Sequence, residues 1–130
     1  KKIYKFCKGY VLGFDSNTYQ GNTIVFSGGV GTGKTMLAMI MKQTLMRMGY
    51  ETHYESVSFF IEKVNKRAWH LKYTFLNIIN EYSDYPLLVI DDLTCGAGLV
   101  KSLDERDRLL LFAIIEQRYQ KNLSTILITN

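Results

Sequence analysis

The run GGVGTGKT at residues 28–35 constrains the fold of this chain more than any other feature. It matches G-x-x-x-x-G-K-[ST] at every fixed position. The β-branched and aromatic run 23–27 precedes it and predicts a buried strand. Apolar residues at helical spacing follow from Gly33 to about Met48, and Gly49 suits a C-cap. A strand, a glycine loop and a helix in this order form the context of a phosphate-binding P-loop.

The residue types of this loop suit phosphate chemistry. Glycines let successive backbone N–H groups surround phosphate oxygens, and the helix presents its positive end to the same anion. We expect Lys34 to contact the β- and γ-phosphates and the Thr35 hydroxyl to bind Mg²⁺. A side chain at Gly33 is expected to crowd the phosphate. The expected ligands of ATP and Mg²⁺ are Gly28, Gly29, Val30, Gly31, Thr32, Gly33, Lys34 and Thr35.

The remaining pattern predicts alternating strands and helices. Apolar runs at 87–90 and 125–129 indicate buried strands, and 51–57 indicates another. The stretch 59–82 suits one long helix or two shorter ones. The segment 103–119 predicts an amphipathic helix packed on the sheet through Leu109, Leu110, Phe112, Ala113 and Ile115. This order predicts an α/β fold with a mainly parallel sheet flanked by helices.

Two acidic residues follow the apolar run 87–90, at the edge where a parallel sheet presents its ligand-binding residues. We expect Asp91 to bind Mg²⁺ opposite Thr35, directly or through water. Asp92 is the candidate that polarises the water attacking the γ-phosphate. In the alternative interpretation, Asp92 only caps the turn.

A basic stretch interleaved with aromatic residues lies between the second and third predicted strands. Its cations could neutralise phosphates of single-stranded DNA, and an exposed aromatic ring could stack on a base. The alternative is that the aromatic residues belong to the core and the cations to a solvated helix face. The candidate DNA contacts are Lys63, Lys66, Arg67 and Lys72.

Composition sets wider limits. A chain of 130 residues with 47% apolar and 22% charged residues fits one globular domain. The net charge of +4 is compatible with a polyanionic partner but does not require one. No apolar run approaches the roughly 20 residues of a membrane span, and the N-terminus lacks the apolar region of a secretory signal. We therefore expect a cytoplasmic protein with no membrane partner.

The ordered motifs GGVGTGKT, LLVIDDL, IIEQRY and STILITN resemble the DnaC/IstB-like group of AAA+ ATPases, from about Tyr10 to Asn130. The resemblance implies an AAA+ P-loop fold in which the strand before Asn130 lies between the P-loop strand and the strand ending at Asp91. It also implies that Asn130 is the sensor-1 residue, which contacts the γ-phosphate. Lys34, Asp92 and Asn130 are thus the expected catalytic residues.

Two departures from the family pattern bear on activity. Members often carry glutamate where this chain has Asp92, so slow hydrolysis is expected. The family's arginine finger, last core strand and sensor-2 lid have no counterpart in residues 1–130, and no arginine here, Arg118 included, matches the finger. We therefore expect a single, partial AAA+ domain that leaves the P-loop strand as an exposed sheet edge.

The resemblance implies a helicase loader that uses ATP to deliver a replicative helicase onto single-stranded DNA and that assembles into a ring or filament. An IstB-like transposition helper is an alternative from the same group. A nucleotide-gated adaptor, in which ATP only switches affinity for a protein partner, is the alternative from another class. A small-molecule P-loop kinase fits less well because it leaves Asp91, Asp92 and Asn130 without a distinctive role.

Overall fold

The computed structural model describes residues 2–14, 21–29, 31–67, 75–93 and 105–129. Within them, one parallel sheet carries helices on both faces. The elements in chain order are α1 (Lys2–Leu12), β1 (Thr23–Ser27), α2 (Lys34–Arg47), β2 (Thr52–Ser56), α3 (Val57–Arg67), α4 (Phe75–Tyr82), β3 (Leu87–Asp91), α5 (Glu105–Gln120) and β4 (Ser124–Thr129). The predicted α/β class is confirmed.

The four described strands have the order β1-β4-β3-β2, and every pair is parallel. β4 therefore lies between the P-loop strand β1 and the strand that ends at Asp91, as the family resemblance implies. All residues of β3 are buried because this strand is central and helices cover both of its faces.

β1 is less buried than its apolar sequence predicts. It pairs with β4 alone among the described strands, and its residues alternate between exposed and half-buried, with Val25 57% exposed. The expectation of a buried strand at 23–27 is therefore wrong in that respect, whereas the expectation of an exposed edge is confirmed. An edge strand presents unpaired backbone groups along its length.

Each face of the sheet has its own apolar core. On one face, Tyr10 and Phe14 pack with Ala38, Met41 and Leu45 of α2 against the central strands. α1, which the sequence patterns do not predict, contributes to this core. On the other face, buried residues of α3, α4 and α5 surround Leu88 and Ile90 of β3.

α5 packs on the sheet as predicted, and its buried stripe matches the predicted one in part, at Leu110 and Ile115. Its buried residues include Leu110, Leu111, Ile114 and Arg118, whereas Leu109 and Phe112 are 59% and 53% exposed. The Arg118 guanidinium donates to the carbonyl oxygens of Tyr82 (2.9 Å) and Ser124 (2.6 Å) and to Thr125 Oγ1 (2.9 Å). This helix is therefore oriented by a buried polar anchor as well as by apolar contacts.

Helix boundaries follow local rules. Gly49, at φ +100°, follows α2, and the N–H of Tyr50 donates to the carbonyl oxygen of Leu45, which is typical of a glycine C-cap. The stretch 59–82 contains two helices, α3 and α4, with residues 68–74 between them outside the described part. Among the described residues, no helix is long and apolar enough to span a bilayer.

Candidate nucleotide-binding site

The P-loop joins the carboxyl end of β1 to the start of α2. Gly33 is the residue before the helix and has φ +84°, a left-handed conformation that favours glycine. A Cβ built at Gly33 would meet no heavy atom within 4 Å. In the protein itself, glycine is therefore required by the backbone conformation and not by crowding from neighbouring side chains.

The first turn of α2 suits an anion. This turn contains no acidic residue. The helix is 14 residues long, enough for its dipole to place a partial positive charge at the N-terminus, next to the loop. Backbone N–H groups and a helix end that converge on one point form the usual binding site for phosphate oxygens.

The Lys34 side chain folds back over the loop. Its Nζ donates to the carbonyl oxygens of Gly28 at 2.6 Å and Gly29 at 2.7 Å, and it lies 3.3 Å from Oγ1 of Thr32. The Thr32 hydroxyl in turn donates to the Gly29 carbonyl at 2.8 Å. The ammonium group of Lys34 thus lies at the glycine loop, as the sequence motif predicts.

Thr35 and Asp91 meet although they are 56 residues apart in the sequence. The Thr35 hydroxyl donates to Oδ2 of Asp91 at 2.9 Å. Hydroxyl and carboxylate oxygens are the hard donors that Mg²⁺ takes, and Mg²⁺ sites commonly use one or two protein ligands with substrate phosphates. The pair therefore fits the Mg²⁺ that the sequence predicts at this position.

Asp91 has two further partners that the sequence analysis missed. The Tyr54 hydroxyl donates to Oδ2 at 2.5 Å, and the N–H of Asp92 donates to Oδ1 at 2.7 Å. Burial, together with the contact with Asp91, raises the pKa of the Tyr54 phenol, so this hydroxyl keeps its proton and acts as the donor. Tyr54 gave no sequence signal because only the β2–β3 register brings it to Asp91.

The structure describes Asp92 but not Asn130. Asp92 is half-buried and has φ +62°, a conformation that aspartate tolerates better than most residues. Asn130 lies outside the described residues, as do Val30 and Lys72. Thr129, directly before Asn130, is paired with Ser27, directly before Gly28.

Two of the candidate DNA contacts, Lys63 and Lys66 of α3, take part in ion pairs, and the side chain of Arg67 lies outside the described part of the structure. Nζ of Lys63 lies 3.2 Å from Oε1 of the buried Glu55, and Nζ of Lys66 lies 3.1 Å from Oε1 of Glu62. The side chain of Lys66 is 75% exposed and that of Lys63 is 43% exposed. Of these two lysines, Lys66 is therefore the more accessible to a polyanion.

An open cavity of 520 Å³ connects the P-loop with the edge of β1 and with α1. This volume falls within the range of roughly 300–1,000 Å³ typical of small-molecule sites. Its polar end is formed by the P-loop, and its apolar wall is formed by Ile3, Phe6, Ile24, Phe26 and Leu37. The cavity thus combines a phosphate-type end with an apolar surface.

Comparison with known proteins agrees with this geometry. The family model described as IstB-like ATP binding protein matches residues 14–130. The chain belongs to this family. The match and the sheet order make it a DnaC/IstB-like AAA+ protein with the P-loop fold. Among curated proteins, no relative matches the chain.

Three solved structures illustrate the similarity of this IstB-like chain to DnaA, DnaC and DnaI. The replication initiator DnaA bound to AMPPCP and single-stranded DNA is 26% identical, with a TM-score of 0.80, and the match covers 100% of this chain and 38% of DnaA. The DnaC helicase loader is 25% identical, with a TM-score of 0.80 and coverage of 99% and 68%. DnaI, at 20% identity, shows the same fold with a TM-score of 0.66 and coverage of 99% and 62%.

Proposed function

We propose that this IstB-like chain binds ATP with Mg²⁺ and hydrolyses it slowly, as a helicase loader that delivers a replicative helicase onto single-stranded DNA. The observation that carries the proposal is the 2.9 Å contact between Thr35 and Asp91 beside the P-loop. The similarity to DnaC and to DnaA bound to a nucleotide analogue and DNA supports it. The chain spans 38% of the length of DnaA and 68% of the length of DnaC.

The phosphates are proposed to bind at the P-loop and the first turn of α2, where Lys34 exchanges its contacts with Gly28 and Gly29 for phosphate oxygens. The apolar wall of the 520 Å³ cavity suits the adenine base. Thr35 and Asp91 would hold Mg²⁺, which supplies neutralising charge at the β- and γ-phosphates when it is bound.

For hydrolysis, Asp92 is proposed to orient and deprotonate the attacking water, and Asn130 to contact the γ-phosphate from the adjacent strand end. A neighbouring subunit of a ring or filament would add an arginine. Arg118 cannot take that role because it is fully buried and its guanidinium is bound to Tyr82, Ser124 and Thr125. The chain alone should therefore turn over slowly.

The decisive experiment measures ATP binding and phosphate release by wild type, Lys34→Ala and Lys42→Ala, with and without single-stranded DNA and a candidate replicative helicase. Lys42 is in the same helix, so its substitution controls for effects on α2 itself. We expect Lys34→Ala alone to lose binding, and DNA or helicase to raise the wild-type rate. If wild type binds ATP tightly but releases no phosphate with any combination of DNA and helicase, the proposal of an ATPase would be replaced by that of a nucleotide-gated adaptor.

A second candidate is the transposition-helper role that the resemblance implies for IstB-like proteins. The family match over residues 14–130 favours it, because that model is named for IstB. The two roles differ in the protein that stimulates hydrolysis. Stimulation by a transposase of the same host, with none by a helicase, would replace the loader by the helper.

A further inference from the structure

The carboxylate of Asp91 is held by donors from three parts of the fold. Oδ2 accepts from the Thr35 hydroxyl of α2 at 2.9 Å and from the Tyr54 hydroxyl of β2 at 2.5 Å. Oδ1 accepts from the backbone N–H of Asp92 at 2.7 Å. A carboxylate oxygen has about two lone-pair sites, so Thr35 and Tyr54 together saturate Oδ2.

Tyr54 is well placed to hold this carboxylate rigidly. It pairs with Val89 in the β2–β3 register, two positions before the pair of Ser56 and Asp91, so its phenol extends along the sheet toward the carboxyl end. The ring packs against the core cluster that also contains Ala38 and Met41 of α2. The side chain therefore joins a fixed core position to an oxygen of the proposed Mg²⁺ site.

The chemistry of Thr35 gives this contact a consequence. A hydroxyl that binds a metal ion offers its oxygen to the metal and needs an acceptor for its proton. In this structure that acceptor is Oδ2 of Asp91. If Asp91 rotated about χ1 or χ2, Thr35 would lose its acceptor, and the shared bond from Tyr54 opposes such a rotation.

We propose that Tyr54 is a positioning residue of the nucleotide site, which holds Asp91 in the orientation that accepts from Thr35 and thereby sets how strongly Mg²⁺ raises nucleotide affinity. The inference rests on the proposed ATP and Mg²⁺ binding. It adds a residue outside the P-loop and the acidic pair, acting through Asp91 and not by touching the nucleotide.

A purely structural tyrosine would behave differently. Loss of its hydroxyl would lower stability, and any effect on nucleotide binding would be the same with and without Mg²⁺. A positioning residue changes the Mg²⁺-dependent part of the affinity alone. The ratio of nucleotide affinity with Mg²⁺ to nucleotide affinity without it, measured in each variant, therefore separates a positioning role from a purely structural one.

The test compares Tyr54→Phe with Tyr50→Phe, the same chemical change at a half-buried ring that packs on Phe14. The affinity for a fluorescent ATP analogue is measured in excess Mg²⁺ and in EDTA, and thermal unfolding verifies the fold. Loss of a group that orients a metal ligand lowers metal affinity about 10- to 100-fold. We expect Tyr54→Phe to reduce the ratio of nucleotide affinity in Mg²⁺ to nucleotide affinity in EDTA by roughly tenfold. The affinity of Tyr54→Phe in EDTA should equal that of wild type. The affinity ratio of Tyr50→Phe should also equal that of wild type.

A double-mutant cycle with Asp91→Asn tests whether Tyr54 acts through Asp91. Groups that act through one another give non-additive effects, so Tyr54→Phe should leave the ratio unchanged in the Asp91→Asn background. An unchanged ratio in folded Tyr54→Phe, an equal loss in both buffers, or additivity with Asp91→Asn would each overturn the inference. A wild type that binds nucleotide equally with and without Mg²⁺ overturns both this inference and the proposed Mg²⁺ site, whereas the other outcomes leave that site intact.

Discussion

The Thr35 hydroxyl donates a 2.9 Å hydrogen bond to Oδ2 of Asp91. This contact joins the first turn of α2 to the carboxyl end of β3, and it places two oxygen donors beside the P-loop. The contact depends on the parallel direction of β1 and β3, because the carboxyl ends of parallel strands lie at the same edge of the sheet, and β4 alone separates the two strands.

Removal of the Thr35 hydroxyl should abolish most of the Mg²⁺ effect on nucleotide affinity. For Thr35→Ala we expect a loss of roughly tenfold or more in Mg²⁺, because a ligand should matter at least as much as a group that orients one. Thr35→Ser keeps the hydroxyl and should stay close to wild type. Calorimetric titration with an ATP analogue measures both, and equal affinities of the Ala and Ser variants would contradict the assignment.

Asp92→Asn should separate hydrolysis from binding. Asparagine tolerates φ +62° about as well as aspartate, so the backbone should be unchanged, while the amide cannot accept a proton from water. We expect phosphate release to fall on the order of 10²- to 10⁴-fold with nucleotide affinity retained. Asp84→Asn makes the same change at a side chain that is 78% exposed and serves as the control. A retained rate in Asp92→Asn would assign Asp92 to the turn alone.

The strands were predictable because burial imposes a clear pattern. β3 and β4 match the sequence patterns closely, since parallel strands covered on both faces need continuous apolar runs, whereas β1 matches in its bounds but not in its burial. α1 was not predictable, because apolar residues occur on its exposed side (Ile3, Tyr4 and Leu12) as well as on its buried side (Cys7, Tyr10 and Val11) and because the helix packs on α2. The P-loop needed no tertiary information, because its pattern is local.

Contacts set by register and by buried polar groups could not be read from the sequence. Tyr54 reaches Asp91 across 37 residues only through the alignment of β2 with β3. In α5, Leu109 and Phe112 form an apolar stripe that competes with Leu110 and Ile114, and periodicity cannot choose between them. In the structure, Leu110 and Ile114 are buried together with Arg118, whose guanidinium donates to the backbone carbonyls of Tyr82 and Ser124.

The buried Glu55 should make stability depend on pH. Burial by itself would raise the pKa of Glu55, but hydrogen bonds from His53 and Lys63 outweigh it, so its pKa lies below the ordinary value of 4.5. A depressed folded-state pKa contributes stability above the unfolded-state pKa, and that stability is lost as pH falls through the folded-state value. The wild type should therefore lose this contribution below about pH 4.5.

Glu55→Gln should lower the free energy of unfolding at neutral pH by about 1.5–3 kcal/mol, the range for hydrogen bonds to a charged group. The difference from wild type should shrink as pH falls below about 4.5, where the wild-type carboxylate becomes protonated. Glu62→Gln, whose pair with Lys66 is largely exposed, should change stability by less than about 1 kcal/mol. Urea unfolding across pH measures these values, and a pH-independent difference for Glu55→Gln would exclude the ion pair as its cause.

Arg118 should be essential for stability but not for nucleotide binding. Replacement of a buried charge by an apolar residue is sometimes neutral, when both partners of an ion pair are removed. Here the acceptors are the backbone carbonyls of Tyr82 and Ser124 and the Thr125 hydroxyl, and two of these cannot be removed by mutation. Each buried acceptor left unpaired costs about 1–3 kcal/mol, so Arg118→Met should lose roughly 3 kcal/mol or more.

Burial lowers the pKa of Arg118 to about 10, so the guanidinium stays charged at neutral pH and remains a donor. Arg118→Lys keeps the charge but not the planar fork and should be intermediate in stability. Arg47→Met, at an exposed position in the last turn of α2, should change stability by less than about 1 kcal/mol. Arg118 contacts the amino end of β4, opposite the P-loop edge, so folded Arg118→Lys should bind ATP like wild type. If Arg118→Lys is fully folded but binds ATP more weakly than wild type, Arg118 would instead be linked to the nucleotide site.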